Sequence, residues 1–133
     1  PTLSQRLAAD SYISFGNVLA RHLVIGTRPE HQLLAAKPGR AHVYRSLDLE
    51  IAHLHIAPHL DFGHSVENGV RWADAEKAAL DTLYFHLRGR RYPFDIYSDI
   101  DIARLDKARL TAYLSRFRNP KFATFARGVL ELA

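Results

Sequence analysis

Residues 69–87, GVRWADAEKAALDTLYFHL, decide the reading of this chain, because a strand there turns at once into a well-marked helix. Val70, Arg71 and Trp72 read as a strand end. Asp74 is a good N-cap, and Glu76 sets a negative charge in the first helical turn, where backbone N–H groups lack partners. Leu80, Leu83, Tyr84 and Leu87 recur at helical spacing and predict a single apolar face. Lys77 and Asp81, four residues apart, read as an ordinary pair on the helix surface. Gly89 follows as the stop.

Upstream of this stretch, Asn68-Gly69 is the favoured two-residue turn of a hairpin over Val66 to Trp72. Residues 49–57 alternate as a strand ending at Pro58. Ala41 to Arg45 and Gln32 to Lys37 are two more strand candidates, separated by a Pro38-Gly39 turn. Ser14 predicts a helix cap, with Phe15, Leu19 and Leu23 pointing inward and Gly26 ending the helix. Thr2 to Asp10 reads as a short helix or the tail of a linker. Downstream, Tyr92 to Asp101 is a tyrosine-rich connection, and Ala103 to Phe117 a helix with Leu110, Tyr113, Leu114 and Phe117 on one face. Asn119-Pro120 breaks it, and Phe122, Phe125, Ala126, Val129 and Leu130 mark a last helix. This order predicts one α+β domain over residues 1–133: a small antiparallel sheet, helices packed against one side of it, and a helical C-terminal segment.

Composition narrows the chemistry. The 133 residues contain no cysteine, which removes disulfides, zinc–thiolate sites and thiol nucleophiles. No apolar run is long enough to span a bilayer and no secretory signal is visible, which fits the cytoplasm. Methionine is absent even at position 1, so the chain is expected to be processed or a piece of a longer protein. The formal charge of +4 is uneven: from Arg88 onward ten Lys/Arg stand against five Asp/Glu. A basic C-terminal third suits an acidic partner, either nucleic acid or an acidic protein surface.

The letters of 69–87 carry more than their period. Val70, Arg71, Ala73, Glu76, Lys77, Ala78, Leu80, Asp81, Leu83 and Tyr84 resemble the signature of the AbiEi family of type IV antitoxins and related transcriptional regulators, V-R-x-A followed by (S/T)-P-E-K-A-L-x-D-x-L-Y. Asp74 stands for the usual Ser/Thr and Ala75 for proline, both mild departures at a cap and a first helical position. Ser11-Tyr12-Ile13-Ser14 resembles the family's S-Y-(I/V)-S segment, and His55-Ile56-Ala57-Pro58 leading to Phe62-Gly63 its H-(I/L)-x-P…F-G. Leu105 through Asn119-Pro120 resembles its helix ending in R-F-x-(S/N)-P. Nothing between Gly26 and Leu54 contributes. The resemblance implies a non-enzymatic domain that helps neutralise a nucleotidyltransferase-like toxin, without any cofactor. It also implies DNA contact and operon autoregulation through an N-terminal winged helix, for which these 133 residues offer no candidate.

Three constellations invite a chemical reading. His53, His55 and His59, with His42 and His64 nearby, place imidazoles on one strand in an H-x-H pattern that can hold a metal, yet no Asp or Glu completes the set. No metal is expected. Ser98-Asp99-Ile100-Asp101-Ile102 has the alternation of a nucleotidyltransferase strand that holds Mg²⁺ with two carboxylates. The hydroxyl-bearing turn such a fold needs upstream is replaced by Gly89-Arg90, and the plainer reading has Asp99 and Asp101 favouring the N-terminus of the next helix. Arg88, Arg90 and Arg91, together with Arg116, Arg118 and Lys121, are cations at helix ends that could meet DNA phosphates or an acidic toxin face. The expected function is therefore an antitoxin and regulator domain. The alternatives are a free-standing DNA-associated regulatory domain and a small Mg²⁺-dependent nucleotidyltransferase using Asp99 and Asp101.

Overall fold

The hairpin is built as its turn residues require. Asn68 and Gly69 both take positive φ, 52° and 78°, which matches the twist of the strands β5 (His64–Glu67) and β6 (Val70–Ala73) that they join. The computed structural model describes residues 2–26, 32–46 and 48–132. Ahead of the hairpin come α1 (Thr2–Leu7), β1 (Tyr12–Ile13), α2 (Phe15–Arg21), β2 (Gln32–Lys37), β3 (His42–Arg45) and β4 (Glu50–His55). After it come α3 (Ala75–Leu87), α4 (Lys107–Leu114) and α5 (Pro120–Val129). Among the described residues no helix is long and apolar enough to cross a membrane.

The α+β class and the helical C-terminal segment are as expected. The sheet, however, is six-stranded and mixed rather than small and antiparallel, in the order β3-β4-β2-β1-β6-β5. β2 and β4 run parallel in full register from Gln32↔Glu50 to Lys37↔His55, and β1 and β6 meet in parallel at Ile13↔Trp72. The other pairs are antiparallel. Instead of folding back onto β2, β3 leaves room for β4 to insert between them. The Pro38-Gly39 turn marks a change of direction and says nothing about which strand becomes the neighbour.

Helices cover both faces. Tyr12 pairs with Ala36 and reaches α3, whereas His53 pairs with Ala35 and reaches Ser4 of α1. Ala35 and Ala36 point to opposite sides of β2, so α1 and α3 lie on opposite faces of the sheet. The expectation of helices on one side holds for α3 with α4 and α5, which pack together, and fails for α1.

α3 is the central helix and is covered almost all round. Leu80 and Leu83 are buried as predicted, but so are Glu76, Lys77, Asp81 and Thr82, while Leu87 is 47% exposed. Its C-terminus closes with Gly89 at φ +95°, Gly89 N–H donating to the His86 carbonyl and Arg90 N–H to that of Phe85, the two bonds of a Schellman motif. Two other expectations shift. Leu23 is 66% exposed with a left-handed backbone, φ 59°, so it does not face the core. α4 starts after Asp106, whose carboxylate accepts the Arg109 N–H, and ends at Leu114. Residues 102–104 form a separate single turn.

Candidate functional site

The chain passes from β1 to α2 within one residue. Ser14 stays extended and Phe15 takes φ 62°, a left-handed conformation that costs an ordinary residue about 1–2 kcal/mol. Full burial of the Phe15 ring against Phe85 and Tyr92 offsets that cost. As a result, Tyr12 and Ser14 point the same way, toward α3. Ser14 makes no side-chain cap for α2, contrary to expectation. Its hydroxyl donates instead to Asp81 Oδ2 at 2.7 Å.

Around Asp81 the polar groups close a ring. Lys77 Nζ donates to Asp81 Oδ1 at 2.5 Å and to the Tyr12 hydroxyl at 2.8 Å, and that hydroxyl donates to Asp81 Oδ2 at 2.9 Å. Lys77 is 0% exposed and Asp81 2%, so the pair read as a surface pair is a buried one. Spacing of four puts two residues on the same stripe of a helix whether that stripe meets water or protein. The ammonium also sits 4.9–5.7 Å from the ring centroids of Tyr12, Phe62 and Phe117, within range of their negative faces. Burial, and then the Asp81 carboxylate, push the Tyr12 phenol well above its usual range, so it stays protonated as the bridge.

Gly63 makes the approach possible. A Cβ built there would lie 2.9 Å from Lys77 Cβ and Cγ, and φ is +74°. The Gly63 carbonyl accepts the Asp74 N–H at 2.9 Å, fixing the loop against the helix start.

Asp74 and Glu76 hold α4 to α3. Asp74 caps α3 through the Lys77 N–H at 2.8 Å, as expected, and its second oxygen accepts the Tyr113 hydroxyl at 2.6 Å. Burial, and then this hydrogen bond, push the Tyr113 phenol up to about 12. Glu76 accepts the Asp106 N–H at 3.0 Å and Arg109 Nη1 at 3.3 Å. Asp74 and Glu76 in turn hold the Arg109 guanidinium above its ordinary range.

The other candidate residues fall into separate places. His53 is buried and its Nε2 lies 3.0 Å from Ser4 Oγ, while His55 is exposed and bonded to the Gly39 carbonyl. His59 lies beyond the strand in a turn. Among the described residues no three His, Cys, Asp or Glu converge as metal ligands. Ser98 to Ile102 is not a strand, so the alternation read there does not aim two carboxylates at one point. Asp99 accepts the Asp95 N–H and Asp101 pairs with Arg104, and neither caps α4.

Of the basic candidates, Arg88 lies 5.0 Å over the Tyr84 ring and Arg116 4.1 Å over Phe62. Arg90 and Arg91 line an open groove after α3, and Arg118 and Lys121 are exposed at the α4–α5 junction. Among the described residues none of these six cations has an ion-pair partner, whereas Arg104 and Arg109 do. Spacing alone missed the parts that Tyr12, Ser14, Phe62, Gly63 and Phe117 play around Lys77. Their only signal was that each falls in a short string shared with the resemblance. Comparison with protein-family models, characterised proteins and solved structures gives no match for this chain.

Proposed function

We propose that this chain is a non-enzymatic, cytoplasmic antitoxin and transcriptional-regulator domain of the AbiEi kind, which counteracts a nucleotidyltransferase-like toxin and takes part in regulating its own operon. One observation carries the reading. The four strings that resemble that family are scattered from Tyr12 to Phe117, and residues from all four meet around Lys77. Tyr12 and Ser14 come from the first, Phe62 and Gly63 from the second, Lys77 and Asp81 from the third, and Phe117 from the fourth. Positions that a family shares in order to hold its fold are expected to meet in this way.

In this reading the Lys77 centre is architecture, and the unpaired cations Arg88, Arg90, Arg91, Arg116, Arg118 and Lys121 are the contacts with partners. Operator contact belongs to a winged helix outside the 133 residues. The test is growth rescue: the product of the adjacent reading frame is expressed inducibly, with and without this chain. Rescue by residues 1–133 is the expected result. Toxicity that neither this chain nor its full-length parent relieves would overturn the reading.

The same unpaired cations favour a second reading, a DNA-associated regulatory domain with no toxin partner. It predicts affinity for duplex DNA that falls steeply between 50 and 200 mM salt, and flat, weak binding across that range would sink it.

A further inference from the structure

The open groove after α3 has a volume of about 580 Å³ and is lined by Arg90, Arg91, His86 and Tyr97 above a floor that includes Phe94 and Ile96. Its loop is well tied. Asp99 accepts the Asp95 N–H at 2.6 Å, Asp95 accepts the Tyr97 N–H at 2.7 Å, and the Asp101 N–H reaches the Val24 carbonyl at 2.7 Å. The Tyr92 hydroxyl donates to the Thr82 carbonyl beneath it. Tyr97 is 66% exposed despite this order. Its ring lies nearly perpendicular to those of His86 and Phe125, which stack on each other at 5.9 Å, so it has aromatic neighbours on one side while most of its surface stays open.

An uncovered aromatic ring beside two unpaired guanidinium groups is the pairing that binds nucleotide units, a base on the ring and phosphates on the cations. We infer that this groove holds a segment of single-stranded nucleic acid, one base stacked on Tyr97 and the flanking phosphates on Arg90 and Arg91. A duplex keeps its bases stacked and offers Tyr97 no free face. A free mononucleotide would leave most of its surface wet in so open a groove, whereas a strand brings a base to Tyr97 and further phosphates to Arg90 and Arg91 together. Asp95 and Asp99 also line the groove and offset part of the arginine charge. Attraction for phosphate is therefore modest and the ring supplies most of the grip. This inference stands apart from the antitoxin reading, since rescue and oligonucleotide binding are measured independently.

The test is fluorescence anisotropy of labelled dT12 and rU12 with the 133-residue chain, against the same label on a 12-base-pair duplex. Saturable binding to at least one single strand, tighter than to the duplex, is expected, and the arm that binds better identifies DNA or RNA as the source. With two phosphates neutralised, the slope of log affinity against log salt is about −1.4 or shallower. Tyr97→Ala weakens binding on the order of tenfold or more, and Tyr97→Phe retains it. Arg90→Gln with Arg91→Gln flattens the salt slope, while Arg6→Gln with Arg40→Gln, an equal charge change at exposed positions outside the groove, leaves it as it was. Tyr97→Ala binding like the parent chain, an equal or tighter duplex, or no saturable binding to either strand would each overturn the inference.

Discussion

Lys77 and Asp81 illustrate how little a buried ion pair reveals of itself in sequence. The four-residue spacing was legible, but what covers the helix was not, because the covering groups come from residues 12, 14, 62 and 117. Removing one partner leaves the other charged and buried, so Lys77→Met or Asp81→Asn is expected to destabilise the fold by about 3–5 kcal/mol in urea denaturation. The double replacement Lys77→Met with Asp81→Leu should cost much less than the sum, and a strictly additive cycle would show that the ring of hydrogen bonds is not cooperative. Gly63 gives a second prediction at this scale. Gly63→Ala meets both the positive φ and the Lys77 stem, whereas at Gly69, with φ +78°, nothing lies within 4 Å of the added methyl. Gly69→Ala should therefore cost about 1 kcal/mol and Gly63→Ala clearly more, by roughly another 1–3 kcal/mol. A glycine before a histidine carries no mark of that crowding in the sequence.

Among the elements, local chemistry was readable wherever it was sufficient. Gln32–Lys37 and the Asn68-Gly69 hairpin stand as the sequence reading placed them, since alternation and positive-φ residues act over a few positions. The start of α4 was misjudged because Ala103 continues a helical pattern, while the cap that begins the helix is Asp106. Asp74 does more than Asp106: it caps α3 and also accepts Tyr113. Asp106→Ala is expected to cost about 1 kcal/mol. Asp74→Ala should exceed it by roughly another 1 kcal/mol, a difference that Tyr113→Phe should largely reproduce. α1 is held by His53, whose Nδ1 is buried without a partner among the described residues. Burial lowers the His53 pKa most, with Lys37 and His42 adding to the effect and the Ser4 carbonyl and Asp10 opposing it. The neutral ring thus favours the fold. Its contribution is whole above the unfolded value near 6.5 and is lost as the pH falls from there through the folded pKa, at up to about 1.4 kcal/mol per pH unit. Chemical denaturation at pH 7.5 and pH 5 should show this loss in the parent chain, and His53→Leu should remove that component.

For the whole molecule, the class was legible and the sheet order was not. Strand and turn signals are local, whereas the insertion of β4 between β2 and β3 and of β1 between β2 and β6 is decided by packing across the chain. The surface charge was legible only as a count. The structure separates cations engaged in ion pairs from those left over, and the leftover set predicts a clean division of effects. Arg118→Gln and Lys121→Gln should each change stability by less than about 0.5 kcal/mol in thermal melts, while reducing growth rescue or partner affinity. Equal loss of stability and of rescue would place them in the framework instead. The two-residue strand β1 has a last consequence. Among the described residues it is the one strand that joins the β3-β4-β2 half of the sheet to the β6-β5 half, and it follows α1 after a short connection. Force applied ahead of α1 first breaks the Ser4–His53 contact and then falls directly on the middle of the sheet and on the Tyr12 tether. Force applied beyond α5 peels that helix away while the sheet stays whole, so resistance to mechanical unravelling depends on the side from which the domain is pulled.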